Sequence, residues 1–193
     1  MRPRWPSAWG ATALCAALWG RLDAQAVADA AVVRGTLAFD AQATLGAFTG
    51  STTAVTGQVV GAATLAGVRG WVEAPSKSLS SQNGKRDRDT WASLEVDRFP
   101  TLRFQLDSVV PGEARGDSIS VLLLGQLSLH GQARPVRFEG YLWQPDNQIH
   151  VRGRARLNVK DYGVEGLTKA FGMLRMNEQI VVRVDVTFTT RDR

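Results

Sequence analysis

The chain has 193 residues, 44% of them hydrophobic, which is enough for one domain with a substantial buried core. Its single cysteine, Cys15, rules out a framework of internal disulfides. The formal net charge of +5 falls to about +3 once residues 1–26 are set aside, and so small a surplus argues against a nucleic-acid partner.

The N-terminus has the residue order of a secretory signal peptide. Arg2 and Arg4 precede an apolar run, and Ala24 and Ala26 supply the small residues of an A-x-A cleavage pattern. A membrane anchor is the alternative, but the apolar run is well short of about 20 residues. We therefore predict a signal peptide over residues 1–26 and one periplasmic or secreted domain over residues 27–193.

Beyond Val32 most apolar segments alternate with period two, as expected of β-strands with one buried face. The turn-forming segments PGEARGD, HGQARP and QPDNQ separate these runs as hairpins require. Residues 73–100 and 160–178 interrupt the alternation and could each hold a short helix or a lid loop. The clearest strands cover residues 101–109, 120–129, 136–143, 147–157 and 180–188.

A sheet with one apolar face must cover that face, and the chain offers almost no long amphipathic helix to do so. The sheet is therefore expected to curl on itself into an all-β, antiparallel barrel of about eight strands, with one or two short helices in the connecting segments. Small residues at inward positions allow two interpretations: they leave space for a ligand, or they ease the bending of a tightly curled sheet. These residues are Gly35, Gly125, Gly140, Gly153 and Ala155.

The opposite face of the strands carries charges, which argues against a membrane-spanning barrel because such barrels face apolar side chains outward. Arg152, Arg154 and Arg156 form the densest row. We expect these arginines to be solvated and paired across strands with Glu139 or Asp185.

Catalytic motifs are missing from the sequence. His130 is predicted in a tight turn and His150 on the polar face, and two histidines without a mature cysteine do not make a zinc site. The sequence therefore predicts a protein that is not an enzyme and that has no metal site.

Four segments in order resemble the YceI-like family. SLSSQNGKRDRDTWASLEVDRFPTLRF is similar to its S-x-x-T-G-N-x-x-R-D block and the strand that follows, and GQLSLHGQARPVRFEG is similar to its G-x-L-x-x-x-G-x-x-x-P-V strand pair. RARLNVKDYGV resembles the strand that ends in a D-F-G corner, and AFGMLRMNEQIVVRVDVTF resembles the C-terminal strand. Ser80, Ser81 and Gln82 depart from the first pattern.

The resemblance implies a lipocalin-like periplasmic barrel that holds a polyisoprenoid or another long apolar lipid, with no cofactor besides that ligand. It also implies a membrane electron-transfer partner for some members, and a monomer or homodimer is expected. By position, it places head-group or mouth residues at Ser78, Asn83, Arg86, Asp87 and Asp161. The alternative is a solid-cored envelope stress or interaction protein without a lipid.

The inward positions of the predicted strands supply the wall of such a lipid site. In the ligand-binding interpretation, the wall consists of Phe39, Phe104, Leu123, Leu127, Phe138, Leu142, Val151, Gly153, Ala155 and Leu157. Arg86 either meets a polar head group or pins its own loop by pairing with a carboxylate.

The signal-peptide prediction can be tested on the protein as the cell delivers it. We expect the mature chain to begin at Gln25 or Val27, because cleavage should follow one of the two alanines. Intact mass measurement of protein from the envelope fraction checks this, and a chain that keeps Met1 would contradict it.

Overall fold

The computed structural model describes residues 27–44, 46–165, 168–169 and 174–190, so the predicted signal peptide lies outside the described residues. In this part of the chain, ten strands and one α-helix are formed. The elements are β1 Ala30–Ala43, β2 Gly46–Thr52, β3 Thr56–Val60, β4 Arg69–Pro75, α1 Gly84–Ser93, β5 Thr101–Arg115, β6 Ser118–Leu129, β7 Gln132–Trp143, β8 Gln148–Asn158, β9 Thr168–Lys169 and β10 Leu174–Thr190.

The strands form a closed antiparallel barrel, as predicted. Neighbouring strands follow the order β1-β3-β4-β5-β6-β7-β8-β10, and β10 pairs again with β1 from Thr190 opposite Ala30 to Met176 opposite Ala43. This last ladder turns the eight strands into a ring. β2 pairs with β1 from Leu37 to Ala43, on the edge that β3 uses at Ala30 and Ala31, and β9 pairs with the start of β10. The lipocalin-like, all-β prediction is therefore confirmed.

The strand faces also agree with the period-two pattern. In β8, five alternate residues from Ile149 to Leu157 are buried, and Arg152, Arg154 and Arg156 between them are exposed. Each fully buried Val, Leu or Phe stabilises such a core by roughly 1.5–3 kcal/mol. Phe104 and Phe138 meet edge to face inside the barrel with ring centroids 5.1 Å apart.

The pairing of outward charges is partly as expected. Arg152 pairs with Asp185 at 2.7 Å, as predicted, and Arg183 pairs with Asp40 at 2.8 Å. Glu139 lies opposite Arg154 in the β7–β8 register but forms no ion pair within the described part of the chain. Among the described residues, the arginines of this face therefore fall into a group with carboxylate partners and a group without them.

The connecting segments hold α1 and three short 3₁₀ turns. α1 lies inside the segment 73–100, where a short helix or a lid loop was expected. The described part of 160–178 holds the end of a 3₁₀ turn, Val159–Tyr162, then β9 and the start of β10. Among the described residues, no helix is long and apolar enough to cross a membrane.

Several inward glycines prove to be points of close approach rather than vacancies. A Cβ on Gly140 would lie 2.0 Å from the carbonyl oxygen of Arg152, and one on Gly125 would lie 2.1 Å from that of Gln105. At Gly35 the side chains of Val55 and Val186 already fill the space. The vacancy interpretation is wrong at these three positions, because the neighbouring strand or side chain leaves no room.

Gly140 and Gly153 provide a matched test, since they lie opposite each other in the β7–β8 ladder. Gly140→Ala should lower the free energy of unfolding by about 1–3 kcal/mol, because its Cβ would overlap backbone atoms. Gly153→Ala should cost much less, since its nearest neighbour is 3.4 Å away. Urea unfolding of both variants measures the difference, and equal losses would contradict this account of the glycines.

Candidate functional site

The barrel encloses an apolar cavity of about 220 Å³. All eight strands of the ring contribute to its wall, and residues from both ends of the barrel take part, from Val68 and Phe188 at one end to Leu94 and Val164 at the other. Ligand pockets commonly measure about 300–1,000 Å³, so this cavity is small in volume but extended along the barrel. Such a shape fits a thin chain better than a compact ring system.

Eight of the ten wall residues predicted from the sequence line the cavity. They are Phe39, Phe104, Leu123, Leu127, Phe138, Leu142, Val151 and Leu157. Gly153 and Ala155 are buried on the inward face of β8 but do not belong to the cavity wall. Gly153 lies instead between Val184 and Phe138, within ordinary contact distance of both.

Helix α1 closes one end of the barrel, which we call the helix mouth. Thr90 and Ser93 of α1 and the adjoining Leu94 belong to the cavity wall. The helix starts here because Asn83 caps it, with its side-chain oxygen accepting the backbone N–H of Arg86 at 3.1 Å. The predicted mouth residue Asn83 is therefore engaged in capping.

A group of hydroxyls and one carboxylate fastens the segment before α1 to the free edge of β2, and we call this group the clasp. It consists of Ser51, Thr52, Ser78, Ser80, Ser81 and Asp87. Ser80 exchanges two backbone hydrogen bonds of 2.9 Å with Ser51, and the hydroxyls of Ser78 and Thr52 lie 2.8 Å apart. The chain thus covers an edge that would otherwise be open beside the mouth.

Asp87 is the buried centre of the clasp. Its carboxylate accepts hydrogen bonds from the backbone N–H and hydroxyl of Ser81, at 2.7 and 2.6 Å, and from the hydroxyl of Ser80 at 2.7 Å. Burial acts to raise the pKa of Asp87, but these bonds and the nearby Arg86 outweigh it and lower the pKa. The charged carboxylate therefore stabilises the closed segment.

Arg86 pins its loop, though through an aromatic ring rather than the carboxylate that the sequence suggested. Its guanidinium lies 4.6 Å from the centroid of the Phe48 ring on β2. Phe48 in turn meets Phe39, a cavity residue, edge to face at 6.0 Å. Arg86 is thus one aromatic ring away from the cavity wall.

The predicted corner residue Asp161 lies at the same end of the barrel, in the 3₁₀ turn after β8. Its carbonyl oxygen accepts a hydrogen bond of 3.0 Å from Nε of Arg134, which joins it to β7 rather than to the clasp. Ser78 and Asp87 both belong to the clasp, but Asp161 belongs to a separate cluster.

His130 organises that second cluster, which sequence patterns did not reveal. Its Nδ1 lies 3.0 Å from the carbonyl oxygen of Tyr162, and its Nε2 lies 3.2 Å from a carboxylate oxygen of Glu95, after α1. The contact with His130, helped by Arg98, lowers the pKa of Glu95. Burial raises the pKa of Tyr162 to about 12, so its hydroxyl stays protonated at neutral pH.

Comparison with protein families gives a match to the YceI-like domain over residues 28–188. The fold is similar to that of BcnA from Burkholderia cenocepacia, with a TM-score of 0.66, 11% identity, and coverage of 79% of this chain and 95% of that one. A polyisoprenoid-binding domain from Saccharophagus degradans, implicated in plant cell wall breakdown, gives a TM-score of 0.66 at 13% identity. The match covers 86% of this chain and 99% of that chain. No protein of curated function gives a significant match.

A third similar structure, a YceI protein from Campylobacter jejuni, gives a TM-score of 0.52 at 11% identity, with 64% of this chain and 73% of that chain covered. At these identities the solved structures establish a shared fold. The family match covers most of the chain independently of them.

The clasp predicts a defined dependence of stability on pH. Asp87→Asn should lower the free energy of unfolding at pH 7 by about 1–3 kcal/mol, because buried hydrogen bonds to a charge are lost. Since folding lowers the pKa of Asp87, its contribution is complete above the unfolded value of about 3.9 and is lost as the pH falls through the folded value.

The difference in unfolding free energy between wild type and Asp87→Asn should therefore be largest at neutral pH and should shrink in acid below about pH 4. Thermal unfolding at a series of pH values measures it. The exposed Asp107→Asn on β5 is the control and should leave stability at pH 7 unchanged. A stability difference between wild type and Asp87→Asn that stays constant into acid would contradict the assigned role of Asp87.

Proposed function

Because the chain belongs to the YceI-like domain family, we propose that it is a non-enzymatic binding protein whose barrel holds a long-chain apolar lipid. The observation that carries this proposal is the apolar cavity, which runs along the barrel and takes wall residues from all eight strands of the ring. The polyisoprenoid-binding domain of Saccharophagus degradans, which has a similar fold, supports an isoprenoid as the ligand class.

The cavity suits such a ligand on physical grounds. A long apolar chain in water exposes a large surface, and burying it gains roughly 25 cal/mol for each Å². The wall consists mainly of Leu, Val, Ile and Phe side chains, so a ligand is held by burial and shape rather than by directed hydrogen bonds. We infer an isoprenoid quinone, prenyl phosphate or fatty acid derivative as the occupant.

The helix mouth is the proposed place for a polar head group, with Arg86 the best-placed residue. Ser78, Asn83 and Asp87 are engaged in the clasp and in helix capping, so their first role is to hold the mouth in shape. Arg86 combines a positive charge with a position beside Phe48 and Phe39. Asp161 lies near this mouth on the separate His130 cluster.

The proposed setting is the periplasm or the extracellular space, reached by means of the signal peptide of residues 1–26. There the protein would carry or store its lipid as a monomer or homodimer, and a membrane electron-transfer partner is one proposed recipient. Its only bound group would be the lipid itself.

Lipid binding can be tested with two neighbouring leucines on opposite faces of β6. Leu123 lines the cavity, whereas Leu124 lies on the outward face. Leu123→Trp should fill the space that the lipid needs and remove most of the co-purified lipid, while Leu124→Trp should retain it. Solvent extraction followed by mass spectrometry measures lipid per protein, with melting temperature measured alongside.

A solid-cored interaction protein would give a different result. Wild-type protein from its native host would then yield no stoichiometric apolar molecule, and Leu123→Trp would destabilise the barrel by about 1–3 kcal/mol through overpacking. Either of these results would contradict the proposed function.

A further inference from the structure

The barrel wall is open along one half of the β7–β8 boundary. β7 pairs with β6 along its whole length, but with β8 only from Glu139 to Trp143, opposite Arg154 to His150. Residues 132–138 of β7 and 155–158 of β8 face each other without the backbone pairing of a sheet. We call this gap the seam; Pro135, which has no N–H to donate, lies on its β7 side.

A cleft of about 930 Å³ follows the seam, and its rim is basic. Arg134 and Arg137 approach from β7, and Arg154 and Arg156 approach from β8. The lining also includes two carboxylate residues, Glu139 and Asp161. Its mainly apolar part consists of Pro135, Val136, Ala155, Leu157, Tyr162 and Val181.

The four rim arginines differ from three other arginines of the barrel wall, which pair with carboxylates. Arg103, Arg152 and Arg183 each have a carboxylate partner at 2.7–2.8 Å. Within the described residues, none of the four rim arginines forms such an ion pair. Four arginines against the carboxylates of Glu139 and Asp161 leave the cleft with a net positive charge, which favours an added anion.

The rim supplies the kind of donors that bind a phosphate group. Guanidinium groups bind phosphate through paired N–H donors, and several arginines lining one cleft favour a doubly charged anion over a single carboxylate. The Nε of Arg134 donates to the carbonyl oxygen of Asp161, which holds that guanidinium beside the cleft.

The floor of the cleft has the opposite character. Ala155 and Leu157 are buried residues of the inward face of β8, and Val136 is partly buried on β7. Leu157 lines both this cleft and the barrel cavity. The seam therefore passes from charged to apolar surface through the thickness of the wall, which is the pattern that an amphipathic ligand requires.

We propose that the seam binds a phosphate or diphosphate group, carried by a lipid whose apolar chain continues over Ala155 and Leu157 toward the cavity. The rim arginines hold the anion, and the apolar floor excludes a fully solvated ligand. This inference rests on the proposed function for the chain, whereas the anion site itself rests on the rim arginines alone. For a phosphorylated lipid it places the head group at the seam, so the helix mouth with Arg86 stays the proposed place for head groups without phosphate.

The test compares three soluble probes by titration calorimetry: farnesyl diphosphate, farnesol and inorganic pyrophosphate. The cleft variant is the double substitution Arg154→Gln/Arg156→Gln. The matched control is Arg69→Gln/Arg115→Gln, which removes two exposed arginines at the far end of the barrel. Wild type should prefer farnesyl diphosphate to farnesol by about 10-fold or more.

The cleft variant should lose that preference while its farnesol affinity is unchanged, and the control should keep it. Weaker binding of pyrophosphate than of farnesyl diphosphate supports a lipid as the carrier of the phosphate group. Equal binding of the two probes overturns the lipid as carrier and indicates a site for a soluble phosphate. A cleft variant that keeps the preference overturns the site. Binding to anionic phospholipid vesicles without binding to either diphosphate also overturns it, in favour of membrane docking.

Farnesol separates this inference from the proposed function. If wild type binds both diphosphates through the arginines but binds no farnesol, the anion site stands and the apolar cavity is not an isoprenoid site. If wild type binds farnesol and farnesyl diphosphate equally, the cavity proposal stands and the phosphate site is overturned.

Discussion

Closure of the sheet by the β1–β10 ladder is the constraint on which the rest of the molecule depends. Twelve register pairs join these two strands between Ala30 and Ala43, and they bring the first and last strands of the described chain together. Without them the apolar face of the sheet would lie open to water, since α1 is too short to cover it. Closure brings the inward residues into one interior, and it also sets the volume of the cavity that this interior encloses.

Closure also explains which parts of the fold the sequence could predict. The period-two pattern identified the inward face of β6, β7 and β8 because it depends only on local alternation. The same pattern cannot distinguish an inward glycine beside empty space from one that touches the next strand. A Cβ on Gly140 would overlap the carbonyl oxygen of Arg152, whereas one on Gly153 would make only ordinary contacts, and that difference depends on the atoms of the neighbouring strands.

The mouth was less predictable, because its contacts join residues that are distant along the chain. The family motif located Ser78, Asn83, Arg86 and Asp87, but it did not indicate that Ser80 would pair with Ser51 on the edge of β2. Ser80 and Ser81 looked like departures from the motif, yet both donate to Asp87. A buried carboxylate needs several donors, and nearby serines can supply them without keeping the family's usual residues.

The arginine row of β8 shows how one strand can serve two purposes. At Arg152 the wall is continuous, and the residue pairs with Asp185 on β10 as an outward side chain of a sheet would. Two and four residues later the ladder to β7 has ended, and Arg154 and Arg156 border a cleft that reaches the inward Ala155 and Leu157. The alternation of charged and small residues is the same throughout. What changes is the neighbouring strand, so the chemistry of this face is decided by where the barrel wall is left open.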